Sequence, residues 1–162
     1  MEFHDALKHL EKSKEFVDWR KEHKGFLAHA FKLLDEANAD TWQLGYYDGS
    51  TITTFVVSAR FIEVIANQEI LKSEHAIEEL DVSNVKVSSE AALKTAREYH
   101  ILHYAREMTL KQFFIIQKLP IGVVYNITFF FQSMKTLNLK IDAHSGKIVQ
   151  ESFQSLMELD KK

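Results

Sequence analysis

The chain has 162 residues, of which 46% are hydrophobic and 27% charged, and a formal net charge of -3, a composition that folds and does not stay disordered. The acidic balance argues against nucleic acid or an anionic membrane surface as the main partner. Cysteine is absent, which excludes disulfides, thiolate nucleophiles and cysteine-bound metals together.

The opening residues, Met1 to Leu10, contain no basic segment followed by an apolar run. No stretch reaches the roughly 18 uninterrupted apolar residues of a membrane helix, so no membrane span and a cytoplasmic location are expected; an exported chain whose signal peptide has been removed would read the same. Residues 4–23 set Ala6, Leu7, Leu10, Phe16, Val17 and Trp19 near helical spacing, and Gly25 is suited to end that helix. The next run reads two ways. Phe26, Ala30, Leu33 and Ala37 fit a helix, whereas Leu27, His29, Phe31 and Leu33 fit one side of a strand; propensity favours the helix, and an internal repeat described below favours the strand, which is the expectation adopted.

Thr41 to Tyr47 and Thr51 to Ser58 are strands joined through Asp48-Gly49-Ser50, a strong hairpin signal, and a short strand from Phe61 to Ala66 follows. Residues 72–87 hold neither Gly nor Pro but retain Ile77, Leu80, Val82 and Val85, so they read as an ordered connector. Ser88 is placed to cap a second helix running to about Glu107. Strands are expected near residues 110–119, 121–132 and 135–142, with Pro120-Ile121-Gly122 turning the first into the second.

In the last of these, Leu137, Leu139 and Ile141 fall on one side and Thr136, Asn138, Lys140 and Asp142 on the other. A tight reversal follows, in which Asp142 accepts backbone hydrogen bonds and Gly146 supplies a positive φ. The run from Asp142 through Ser145, Gly146 and Lys147 to Val149, behind Tyr125-Asn126-Ile127-Thr128, resembles the closing hairpin of PepSY domains over about residues 88–150. That resemblance implies a cystatin-like fold and a regulatory or inhibitory role. Such modules occur in propeptides of thermolysin-type metallopeptidases and carry no catalytic residues of their own.

A shift of 83 places Leu10 on Leu93, Leu27 on Leu110, Phe31 on Phe114 and Trp42 on Tyr125, which repeats the order helix then antiparallel strands. The expected architecture is therefore α+β, with two tandem cystatin-like units at 1–71 and 88–162 joined by the connector 72–87. Each unit is expected to be one helix on a curved antiparallel sheet of three or four strands.

Gly-x-Ser-x-Gly, His-Glu-x-x-His and glycine-rich phosphate loops are all missing, and neither an enzyme nor a cofactor or metal is expected. His100 and His103 lie three apart on the second helix but have no further ligands nearby, and His29 sits in an apolar run. With Tyr125, Ile127, Phe129 and Phe131 inward, Asn126, Thr128, Phe130 and Gln132 face outward beside Asn138 and Lys140. The same phase carried to the first unit turns Tyr47, Phe55 and Val57 outward. A large apolar group on a face that should be wet implies a contact. Tyr47, Phe55, Thr128, Phe130, Asn138 and Lys140 are thus the candidate contact residues for a protein partner, a peptidase being one class the resemblance implies. The alternative is a small-molecule or enzymatic domain with an apolar pocket between helix and sheet. Monomer and homodimer are both compatible with the sequence.

Overall fold

The computed structural model describes residues 1–70 and 76–156. The N-terminal segment forms two helices where the periodicity suggests one: α1 at Phe3–Glu11 and α2 at Lys14–Glu22. Ser13 divides them, because it is extended and its hydroxyl accepts the Phe16 amide at 3.1 Å, an N-cap that starts a new helix. Helix α1 buries Phe3, Ala6, Leu7 and Leu10, a single stripe at helical spacing.

A four-strand meander follows: β1 at Phe26–Leu33, β2 at Trp42–Tyr47, β3 at Ile52–Val57 and β4 at Ile62–Gln68. The connector contributes Leu80 and Val85 to the core. Helix α3, at Ser89–Tyr104, is capped by the Ser88 hydroxyl, which accepts the Ala91 amide. It leads into a second meander, β5 at Thr109–Leu119, β6 at Gly122–Phe131, β7 at Lys135–Asp142 and β8 at Ile148–Ser155.

The two meanders do not form tandem units. They merge into one eight-stranded sheet in the order β4-β3-β2-β1-β5-β6-β7-β8, every pair antiparallel. Two separate helix-on-sheet units would leave an unpaired edge on β1 and another on β5, each exposing a row of amide and carbonyl groups. Instead His29 to Leu33 pair with Gln117 to Phe113 across a central seam. Pairing on both sides also explains why the ambiguous run at 26–33 is a strand, since tertiary context overrides its helical propensity.

All three helices described contribute to one core cluster on one face of the sheet. Trp42 of β2 bridges the halves, with its ring centroid 5.6 Å from Phe114 of β5 and 6.0 Å from Phe3 of α1. Phe114 in turn lies 5.5 Å from Tyr125. The start of the chain ties the halves together again. The Glu2 carboxylate accepts the Ser89 amide at 2.9 Å and the Ser89 hydroxyl at 2.8 Å, so it caps α3 from the other half of the molecule. Burial raises the pKa of this carboxyl, but the Ser89 and Glu90 hydrogen bonds outweigh it and leave the group below its ordinary value.

The closing reversal is built from Asp142 and Gly146. Asp142 accepts the His144 and Ser145 amides at 2.9 and 2.7 Å, and Gly146 has φ of +80°, a conformation that penalises side chains with a Cβ.

Candidate functional site

The face of the sheet opposite the helices carries an ordered pattern of side chains. Residues directly opposite each other in an antiparallel ladder share a face, so the register fixes which positions lie here. One row crosses the sheet from Thr54 through Gly45 and His29 to Gln117; the next runs from Gln43 through Phe31 and Ile115 to Asn126 and Lys140. A third contains Phe113, Thr128 and Asn138.

In the second half these polar groups are linked. The Asn126 amide nitrogen donates to Gln117 Oε1 at 3.0 Å, that of Asn138 donates to Asn126 Oδ1 at 2.6 Å, and Lys140 Nζ donates to Asn138 Oδ1 at 2.9 Å. Asn138 also reaches the Thr128 hydroxyl, at 3.1 Å. This ladder spans β5, β6 and β7 and holds its side chains in fixed orientations, with the half-buried rings of Phe113 and Phe130 towards its Asn138 end. Partial burial pushes the Lys140 ammonium below the ordinary lysine value.

Near the seam the face sinks into a cavity of about 360 Å³. Phe31, Ile52 and Ile115 supply apolar wall, while His29, Gln43, Thr54 and Gln117 supply polar groups, with Gln68 and Glu69 at the β4 side. Two local features make room for it. A bulge between Leu27 and His29 shifts the register of β1 against β2, sending Leu27 into the core and His29 to the opposite face. Gly45 lies across from His29, and a Cβ there would sit 2.6 Å from Nε2 and 2.9 Å from Nδ1 of that ring. The imidazole therefore occupies the space that any other residue at 45 would fill. Burial pushes the His29 imidazole below the ordinary histidine value, so the neutral form is favoured.

The predicted contact residues are divided by the structure. Thr128, Phe130, Asn138 and Lys140 share the helix-free face, and Tyr47 lies on it near the first hairpin. Phe55 does not: it is 0% exposed on the helix side, and so is Val57. The reason is the register of the hairpin, which sets Tyr47 against Ile52 and hence Leu44 against Phe55. A phase transferred from the other half misses that offset, because turn length fixes strand phase. Nor do the halves cover each other's outward residues, since both outward faces lie side by side in one sheet.

The histidines are separated. His100 donates to the Glu107 carbonyl at 2.9 Å and packs over Phe129 and Phe131, whereas His103 lies against Tyr99 and lines a recess with Phe153 near the end of α3. Neither joins His29 in its cavity. Among the described residues no group of three or more His, Asp or Glu side chains is arranged to hold a metal ion. On the helix side a space of about 400 Å³ opens between Leu7, Phe16, Tyr46 and Leu80. Its aromatic wall is already used by Arg20, whose guanidinium lies 5.3 Å from the Phe16 ring centroid and 5.5 Å from that of Tyr46.

Sequence reasoning missed the cavity. The signal available for it was Gly45 in the middle of a strand, a residue that marks a close approach by another group.

No protein-family model matches the chain, and no curated protein matches it. Among solved structures it is similar to a "putative lipoprotein" from Clostridium difficile 630, with a TM-score of 0.61 at 12% identity, covering 95% of this chain and 93% of that one. The likeness is one of fold. None of the described helices is long and apolar enough to cross a membrane.

Proposed function

We propose that this chain is a non-enzymatic regulatory module that binds a protein partner through the helix-free face of its sheet. The observation that carries this reading is the hydrogen-bonded ladder from Gln117 to Lys140 with Phe113 and Phe130 beside it. Polar side chains held in place by one another lose little further freedom on binding, and adjacent half-exposed rings supply apolar contact area. The likeness of residues 88–150 to PepSY modules supports a regulatory role and makes a peptidase the first partner class to test. The description of the structural neighbour as a lipoprotein directs the search to the cell envelope as well as the cytosol.

The test is site-specific photo-crosslinking in the native host. A photoreactive residue at Thr128 should capture a discrete protein, and Phe130→Asp in the same chain should abolish the adduct while circular dichroism shows a folded protein. The same group at Leu102, 77% exposed on α3, should capture nothing comparable. A partner captured from Leu102 alone, or unaffected by Phe130→Asp, would contradict the proposal.

A further inference from the structure

The cavity beside the seam shares Gln117 with the ladder but is otherwise lined by different residues, and its occupant is inferred without the protein-partner reading. Its polar groups are left with unused hydrogen-bonding capacity. The His29 ring makes no hydrogen bond among the described residues, and neither does the Gln43 side chain. Gln117 accepts from Asn126 through Oε1 at 3.0 Å, which leaves its amide nitrogen as a donor. Gln68 accepts the Thr54 hydroxyl through Oε1 at 2.6 Å and likewise retains its amide nitrogen. Donors and acceptors therefore converge on one space from β1, β2, β4 and β5. His29, Gln43 and Gln117 are half-buried and open to an incoming molecule, and a few polar groups within an apolar wall are the usual composition of a ligand site.

The charge of the lining restricts the occupant. Among the described residues no lysine or arginine lines the cavity, so an anion held there would have no counter-charge from them. The one carboxylate among the described lining residues, Glu69, is solvent-exposed and is too well hydrated to stabilise a desolvated cation. Phe31, Ile52 and Ile115 provide surface for a flat or aliphatic body. A volume of about 360 Å³ lies at the small end of known ligand pockets, roughly 300–1,000 Å³.

The geometry points to a binding site, centred on His29, Gln43 and Gln117, for a small uncharged molecule that presents a carboxamide-like donor and acceptor edge on an apolar ring. In this arrangement the glutamine amides pair with the edge of the ligand, the imidazole supplies one further donor or acceptor, and the ring rests against Phe31 and Ile115. Gly45 has a permissive part, since its missing side chain is what lets the imidazole lie at the cavity floor.

Nicotinamide serves as the probe, with benzoate and benzylammonium as charged counterparts of similar size. The readout is the ring carbon–proton resonance of His29 in protein labelled at histidine, assigned by its loss in His29→Gln. Nicotinamide should shift this resonance saturably. In Gln43→Leu, which removes no hydrogen bond from the described fold, the dissociation constant should rise about tenfold, as expected for one lost polar contact. Gly45→Ala should displace the imidazole and abolish the shift; if that variant fails to fold, Gln43→Leu still decides. The proposal is overturned by the absence of saturation at the solubility limit, by an unchanged dissociation constant in Gln43→Leu, or by benzoate or benzylammonium binding as tightly as nicotinamide.

Discussion

The two faces of the sheet are made from the same strands and differ in almost every other respect. On the helix side Phe55, Phe114, Ile127 and Leu139 are completely buried, and the side chains are held by shape. On the opposite side Gln117, Asn126, Asn138 and Lys140 are only part-buried and are held by hydrogen bonds. A single residue step along β6, from Phe129 to Phe130, crosses from one regime to the other. The difference teaches that strand periodicity alone reports alternation, while the character of each face depends on which side the helices select.

The largest test of this contrast is truncation at that step. Phe129→Ala should lower stability by about 3–5 kcal/mol, as large aromatic deletions in a closed core do, whereas Phe130→Ala should cost only about 1 kcal/mol. Denaturant unfolding of both variants measures the difference, and equal large losses would mean that the second face is also covered. Phe55→Ala belongs with Phe129→Ala, and a mild effect there would break the assignment of β3.

A smaller effect is expected at the closing turn. Gly146→Val should destabilise by about 1–3 kcal/mol because a β-branched residue is strained at positive φ. The cost comes from the backbone and not from crowding, since a Cβ at this position meets Val87 Cγ2 at an ordinary 3.5 Å. Thermal unfolding that is unchanged by the substitution would contradict the turn geometry.

The smallest expected effect concerns pH and separates the cavity from the turns. His29 has a folded-state pKa below its unfolded value of 6.5, so the unfolded chain binds more protons in the window beneath 6.5 and stability should fall as pH drops through it. His29→Gln should flatten that part of the profile. Asp48 has a carboxyl lowered to about 2 from 3.8, chiefly by the Thr51 and Ser50 amide hydrogen bonds, and its contribution should be lost only as pH falls from about 3.8 towards 2. Urea unfolding from pH 8 to pH 2.5 distinguishes the two windows.

Much of the strand order was legible because local signals agreed: alternation in 135–142, Asp-Gly in the first hairpin, and Ser88 before the long helix α3. The architecture was not. Whether two meanders stack as units or join edge to edge depends on long-range pairing of β1 with β5, and no local pattern encodes which edge finds which partner. The contact residues of β6 and β7 followed from alternation within one hairpin, while Phe55 was misplaced because its phase was borrowed from the other half and not taken from the Tyr47–Ile52 register. The cavity escaped because it depends on a bulge near Ala28 and on the pairing of His29 with Gly45, two features that appear only when the strands are aligned.

Hydroxyl-radical footprinting of the intact chain, read residue by residue by mass spectrometry, tests the central contrast most directly. The account predicts strong oxidation of Phe31, Phe113 and Phe130 and protection of Trp42, Phe114 and Phe129. Protection of both groups, or oxidation of Phe129 as readily as Phe130, would contradict a sheet with one closed face and one open one.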